Sequence, residues 1–217
     1  MGEVHDPRRV TPIVAMLARQ PEWFEAAKAP LETLFGPVEL ESPLFAFDKT
    51  AYYTASMGPN LQRRFFTFRA LADPAGLVDW KLAANRLELE LKTALVVRPN
   101  SNEGLKGVKQ PATGLLHTLQ LSSVGPLAAT GAPIPERPIN LDPGYLTGAK
   151  LVLASTKDFA HRIYLRDGIF AEITMGFRGD SWTSHDFTFP DFRSGVYDTF
   201  LKKARDRHLR KRRGVRG

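Results

Sequence analysis

Apolar positions along the chain follow two rhythms, and their alternation sets the predicted elements. Val10 to Leu17 (VTPIVAML) is a short apolar run and reads as a first strand. Pro21 to Phe35 then places Trp23, Phe24, Ala27, Leu31, Leu34 and Phe35 on one helical face. Gly36 and Pro37 stop that helix, and Pro30 inside it is expected to kink or interrupt it. Val38 to Phe47 and Leu61 to Ala70 (LQRRFFTFRA) alternate with the period of strands. Asp73 and Pro74 form an N-cap and first-turn pair. Leu77, Trp80, Ala84, Leu87, Leu91 and Leu95 follow at spacings of three and four, the clearest helix of the chain.

Residues 99–138 differ in kind: six prolines, five glycines and five charged residues, with no sustained period. Such a stretch is expected to be a disordered insertion. Regularity returns at Ile139. Asp142-Pro143-Gly144-Tyr145 has the composition of a turn. Leu151 to Ser155 is apolar, and His161 to Leu165 and Ile169 to Met175 flank Asp167-Gly168, a type I′ hairpin signal. A last helix runs through Tyr197, Phe200, Leu201, Ala204 and Leu209. The order β-α-β-β-α-β plus a hairpin and helix predicts an α+β fold with a ferredoxin-like split βαβ core. Residues 1–200 form one domain interrupted by 99–138, and 201–217 form a basic C-terminal extension.

Composition changes the picture in two places. The formal net charge is +7, but residues 201–217 hold nine basic residues against one acid. Without them the chain has 21 basic and 22 acidic residues, so the basicity belongs to one segment. Residues 202–217 could bind nucleic acid or ribosomes electrostatically, or could be a solvated extension. There is no cysteine, which rules out disulfides, a thiol nucleophile and Cys-based metal sites. That fits a reducing cytoplasm. No apolar stretch reaches the roughly 20 residues needed to span a bilayer, and no signal or myristoylation pattern is expected at the N-terminus.

Chemistry concentrates between Asn140 and Thr174. With Asp167-Gly168 as a two-residue turn, Arg166 would pair with Ile169, Leu165 with Phe170 and Ile163 with Glu172. His161, Ile163, Leu165, Phe170, Glu172 and Thr174 would then share one face. His161 and Glu172 become diagonal neighbours, about 7–8 Å apart at the backbone. Arg162, Tyr164 and Arg166 would point the other way. Asp142, His161 and Glu172 are the candidate acid–base groups. Lys157, Arg162 and Tyr145, helped by Arg63 or Arg64, are the candidates for holding an anion. Arg63 and Arg64 lie on opposite faces of their strand, so at most one serves any given ligand. The competing reading makes these groups a wet face whose polar pairs satisfy each other, with Arg63-Arg64 pairing Glu39 or Glu41. Glu41, Asp48, Asp142, His161 and Glu172 are permitted metal ligands but lack diagnostic spacing. The residues do not identify a cofactor. Tyr52 and Tyr53 read as packing residues.

Four blocks carry a family likeness: Glu41 to Gly58 (ESPLFAFDKTAYYTASMG), Leu61 to Leu71 (LQRRFFTFRAL), Asn140 to Thr174, and Phe189 to Ser194 (FPDFRS). Together they resemble a bacterial family of uncharacterised proteins, a domain of unknown function often labelled "GTP-binding protein". The resemblance implies no established activity. It does not extend to 99–138 or to the basic extension. A classical GTPase needs a GxxxxGK[ST] loop to cradle phosphate, and none is present. The sequence therefore predicts a small anionic ligand, nucleotide or phosphate compound, bound outside any P-loop. The alternative is a nucleic-acid or ribosome-associated protein acting through its basic end.

Overall fold

The first strand, β1 (Thr11–Ala18), is buried at all eight positions. Its residues are apolar on both faces because both faces are covered by helices, which removes the polar half of a normal strand alternation. A computed structural model describes residues 2–96 and 134–214 and organises them around this strand. The helix α1 (Pro21–Phe35) follows, then β2 (Val38–Glu41), β3 (Phe45–Ala46), the short α2 (Thr54–Met57) and β4 (Gln62–Phe68). A 3₁₀ turn at Pro74–Gly76 leads into α3 (Leu77–Val96). Then come β5 (Ile139–Leu146), β6 (Lys150–Ser155), β7 (Ile163–Arg166), β8 (Ile169–Arg178), β9 (Ser181–Ser184), α4 (Pro190–Arg193) and α5 (Asp198–Gly214).

All nine strands join one antiparallel sheet in the order β2-β4-β1-β5-β6-β8-β7, with β3 added to β4 and β9 added to β8. Helices α1 and α3 cover one face. Their Trp23, Phe24, Leu31, Leu87 and Leu91 pack on Val14, Met16, Phe66, Phe68 and Leu141. Helices α4 and α5 cover the other, where Phe192, Tyr197, Phe200 and Leu201 meet Ile13, Ala15, Phe65, Leu151 and Met175. No helix among the described residues is long and apolar enough to cross a membrane.

Most predicted elements appear where periodicity placed them. The Asp73 carboxylate accepts the Ala75 N–H and opens the 3₁₀ turn before α3. Gly36, at φ +81°, ends α1 by donating its N–H to the Glu32 carbonyl. Helix α1 runs through Pro30 without interruption, and Pro30 is buried with the apolar face. The expected disorder of 99–138 lies outside the described residues except at 134–138.

Two expectations need correction. Asp142-Pro143-Gly144-Tyr145 is not a turn but the middle of β5. Every one of these residues pairs with β1. An added Cβ at Gly144 would sit 2.0 Å from the Val152 carbonyl oxygen, so this glycine serves strand contact rather than turning. The hairpin register also differs. Asp167 and Gly168 do adopt positive φ (+53° and +72°), as a type I′ turn requires. A bulge at Leu165 then pairs Tyr164 with Phe170 and Ile163 with Ala171, one residue off the simple register. The strand begins only at Ile163, so His161 and Arg162 lie in the preceding turn and are free of its alternation.

Candidate functional site

Cross-strand partners project on the same side of a sheet, and this rule assembles a polar floor. Arg63 of β4 lies in register with Leu17 and, across it, with Asn140 of β5. Phe65, Ala15 and Asp142 form the next row, and Gly144, Leu153 and Glu172 another. Arg63, Asn140, Asp142 and Glu172 therefore share the face covered by α4 and α5. They line a cavity of about 200 Å³ together with Lys81, Arg137, Lys157 and Arg162.

The cavity exists because the sheet splits. Only Gly144–Leu146 of the eight residues of β5 pair with β6. Upstream, β5 has a free edge, and helix α3 satisfies it from the other face of the sheet. The Leu141 N–H donates to Glu88 Oε1 at 2.7 Å, and Lys81 Nζ donates to the Leu141 carbonyl at 2.7 Å. Two residues further along the same edge stands Pro143, which has no N–H to offer a neighbouring strand. Proline here opens the ladder instead of turning the chain.

The cleft lining carries a cationic excess. It holds five cations (Arg63, Lys81, Arg137, Lys157, Arg162) against two carboxylates, with Asp191 and Glu88 pairing Arg63 and Arg137 from outside the lining. Lys81 reaches Asp142 Oδ1 at 3.1 Å, and the Asn140 amide donates to Asp142 Oδ2 at 2.6 Å. Burial pushes the Asp142 carboxyl up, but Lys81, Arg63 and the Asn140 hydrogen bond outweigh it and hold Asp142 below the usual carboxylate range. Arg137 grips Glu88 with Nε and Nη2 at 3.2 and 2.9 Å. Burial raises the Glu88 carboxyl against the pull of Lys81 and Arg137.

Arg63 is buried, paired through Nε with Asp191 Oδ2 at 2.9 Å, and enclosed by the rings of Phe47 (5.0 Å) and Phe192 (5.2 Å). Tyr197 donates its hydroxyl to the same Asp191 oxygen at 2.9 Å. Arg162 donates to Glu172 Oε2 (2.9 Å), Ser155 Oγ (2.8 Å) and the Lys157 carbonyl (3.0 Å). His161 Nε2 meets Glu172 Oε2 at 3.2 Å from the rim while its ring stacks on Phe187 at 4.3 Å. Lys157 has no carboxylate partner among the described residues; its ammonium donates to the Tyr52 hydroxyl and lies 4.3 Å from that ring's centre. Tyr52, Tyr53, Phe159 and Phe189 form aromatic walls. Burial, then the Asp142 charge, raises the Tyr53 hydroxyl above its ordinary range.

Of the candidate residues, Arg63, Asp142, Lys157, Arg162 and Glu172 converge on this cavity, and His161 supports it through Glu172. Arg162 joins Glu172 rather than pointing away, a correction that follows from the turn before β7. Arg64 and Tyr145 do not reach it. Both occupy the opposite face by strand alternation: Arg64 pairs Glu25 (2.7 Å) and Glu41 (2.6 Å), and Tyr145 packs near Leu77 and Val78. Glu41 and Asp48 are engaged elsewhere, with Lys28 and Lys49. No group of three or more His, Asp or Glu side chains among the described residues could hold a metal ion.

Sequence reading missed Lys81, Glu88 and Arg137. A signal for two of them was present. Leu77, Lys81, Ala84, Glu88, Leu91 and Leu95 fall on one helical stripe, so Lys81 and Glu88 interrupt an otherwise apolar face seven residues apart. Arg137 sat inside the Pro-rich stretch and carried no pattern.

Fold and cleft together define a mixed α/β protein whose single antiparallel sheet opens onto a cationic, aromatic-walled cavity. The chain belongs to the family described as a domain of unknown function, DUF4416, whose sequence model matches residues 8–98 and 128–208. Neither a curated protein nor a solved structure matches it.

Proposed function

We propose that the protein binds a small anionic ligand, a nucleotide or other phosphate compound, in the split of the sheet. The observation that carries this reading is the convergence of five cations from four separate parts of the chain on one cavity with two carboxylates. Lys157 and Arg162 meet the anion, and Arg63 and Lys81 supply the buried positive field. Asp142 holds Lys81 and Glu172 holds Arg162 in place. The rings of Tyr52, Tyr53 and Phe159 suit a planar group attached to the anion. Absence of a GxxxxGK[ST] loop sets the site apart from a classical P-loop GTPase.

The test is calorimetry with inorganic phosphate, nucleoside mono-, di- and triphosphates, on the native chain and on Lys157→Ala. Lys157 contributes little to folding contacts, so the variant should melt like the native protein. Its affinity for the bound compound should fall about tenfold, the effect of one charge-assisted hydrogen bond. No binding by any of these compounds, or unchanged affinity in Lys157→Ala, contradicts the proposal.

A ferredoxin-like core is part of the same reading. The order β2-β4-β1-β5, with α1 and α3 on one face, supports a split βαβ core to which β6–β9 and α5 were added. A cytoplasmic setting is supported by the absence of cysteine from all 217 residues.

A further inference from the structure

Helix α5 carries eight lysines and arginines, and the structure divides them by role. Three secure the helix to the body. Arg205 donates to the Gly148 carbonyl at 2.7 Å and lies 3.7 Å from the Phe177 ring centre. Lys211 donates to Glu39 Oε2 at 2.7 Å and to the Phe68 carbonyl at 3.0 Å. Lys202 pairs Asp180 at 2.9 Å. The inner face, Leu201, Ala204 and His208, is buried against the sheet. The rotational position of the helix is thereby settled, and so is the direction in which the remaining cations point.

Of the other five, Arg212 is half-buried, while Lys203, Arg207, Arg210 and Arg213 are exposed and have no ion-pair partner among the described residues. Their spacings of four, three and three residues keep them on one side of the helix. At 1.5 Å per residue the ridge extends about 15 Å. Phosphates along one strand of a duplex rise about 3.4 Å each, so such a ridge spans about four of them. Unlike the cleft, where most cations are held by carboxylates or carbonyls, this surface has open charge. The acid beside it, Asp206, sits 3.9 Å from Arg205.

We propose that this ridge binds the phosphate backbone of a double-stranded nucleic acid without reading its sequence. Exposed positions of α5 are Thr199, Lys202, Lys203, Arg207, Arg210, Arg213 and Gly214, with no aromatic or large apolar side chain. The ridge thus has nothing to stack on unpaired bases and nothing to insert into a lipid surface. Backbone contact of this kind is dominated by counterion release. The cleft plays no part in it, so the two proposals stand or fall separately.

The experiment is fluorescence anisotropy with a labelled duplex of about 20 base pairs, with salt varied between about 50 and 200 mM. A ridge of four cations predicts a slope of log K against log salt of about −3 to −4. The variant K203A/R207A/R210A, altered only at exposed positions, should retain its melting temperature and lose about three units of that slope. Arg86→Ala, at an exposed cation of α3, should leave both affinity and slope unchanged. Native affinity and slope in the triple variant overturn the proposal. So does an equal loss in Arg86→Ala, or binding to phosphatidylserine vesicles with none to the duplex.

Discussion

At the scale of single residues, the protein places polar groups where packing alone would have placed carbon. His208 is 1% exposed on the inner side of α5, and its Nδ1 lies 3.0 Å from the Thr11 hydroxyl. Burial, with the nearby charges of Arg212, Lys211 and Arg205, pushes the imidazole down to about 4. An imidazole in the unfolded chain takes up its proton near pH 6.5. Between those values the unfolded state binds more protons than the folded one, so stability rises with pH across that window. As pH falls from about 6.5 to 4 the stabilising contribution is progressively lost. The loss reaches about 2 kcal/mol once solvent screening of the neighbouring cations is allowed for. Thermal melts of the native chain and His208→Gln should therefore converge at acid pH. Parallel melting curves from pH 7 to pH 4 would show that His208 carries no such linkage.

At the scale of elements, what could be read from the sequence depended on whether the deciding partner was local. Helices α1 and α3 were legible because an apolar stripe at helical spacing needs only its own residues. The Asp73-Pro74 start and the Asp167-Gly168 turn were legible for the same reason. Asp142-Pro143-Gly144 was not. Its composition suits a turn, but β1 holds all three residues extended and β6 pairs with Gly144, and those strands lie more than 120 residues before it and close behind it. The hairpin register failed over one bulge at Leu165, and Arg162 enters the cleft because it lies in the turn before β7 rather than in the strand. The candidate list nevertheless captured five of the cavity's charged groups, because strand alternation had already separated Arg63 from Arg64. Gly144 tests the corrected picture. A methyl group there collides with the Val152 backbone carbonyl, which cannot rotate away. Gly144→Ala should cost about 3 kcal/mol or more and lower the melting temperature by about 6–12 °C. At an ordinary turn glycine the same change would cost far less. A loss below about 1 kcal/mol would mean that β5 and β6 do not approach as closely as they do here.

At the scale of the whole molecule, two hydrophobic layers meet across one sheet, and the cleft lies where that sheet is interrupted. The α1/α3 layer supplies Lys81, and through Glu88 it also holds Arg137; the α4/α5 layer supplies Asp191 behind Arg63. A ligand in the split would therefore touch groups anchored in both layers and should stabilise the fold as a unit. At a ligand concentration one hundred times its dissociation constant, binding to the folded state alone adds about 2.7 kcal/mol. For a chain of this size that corresponds to a rise in melting temperature of about 5–11 °C. The same total concentration of ligand should raise Lys157→Ala by about half as much, because a tenfold weaker affinity removes about 1.4 kcal/mol of the linkage. A phosphate compound that raises both proteins equally binds somewhere other than the cleft. A shift that depends on Lys157 and survives K203A/R207A/R210A assigns the anion to the split sheet and leaves α5 to its own partner.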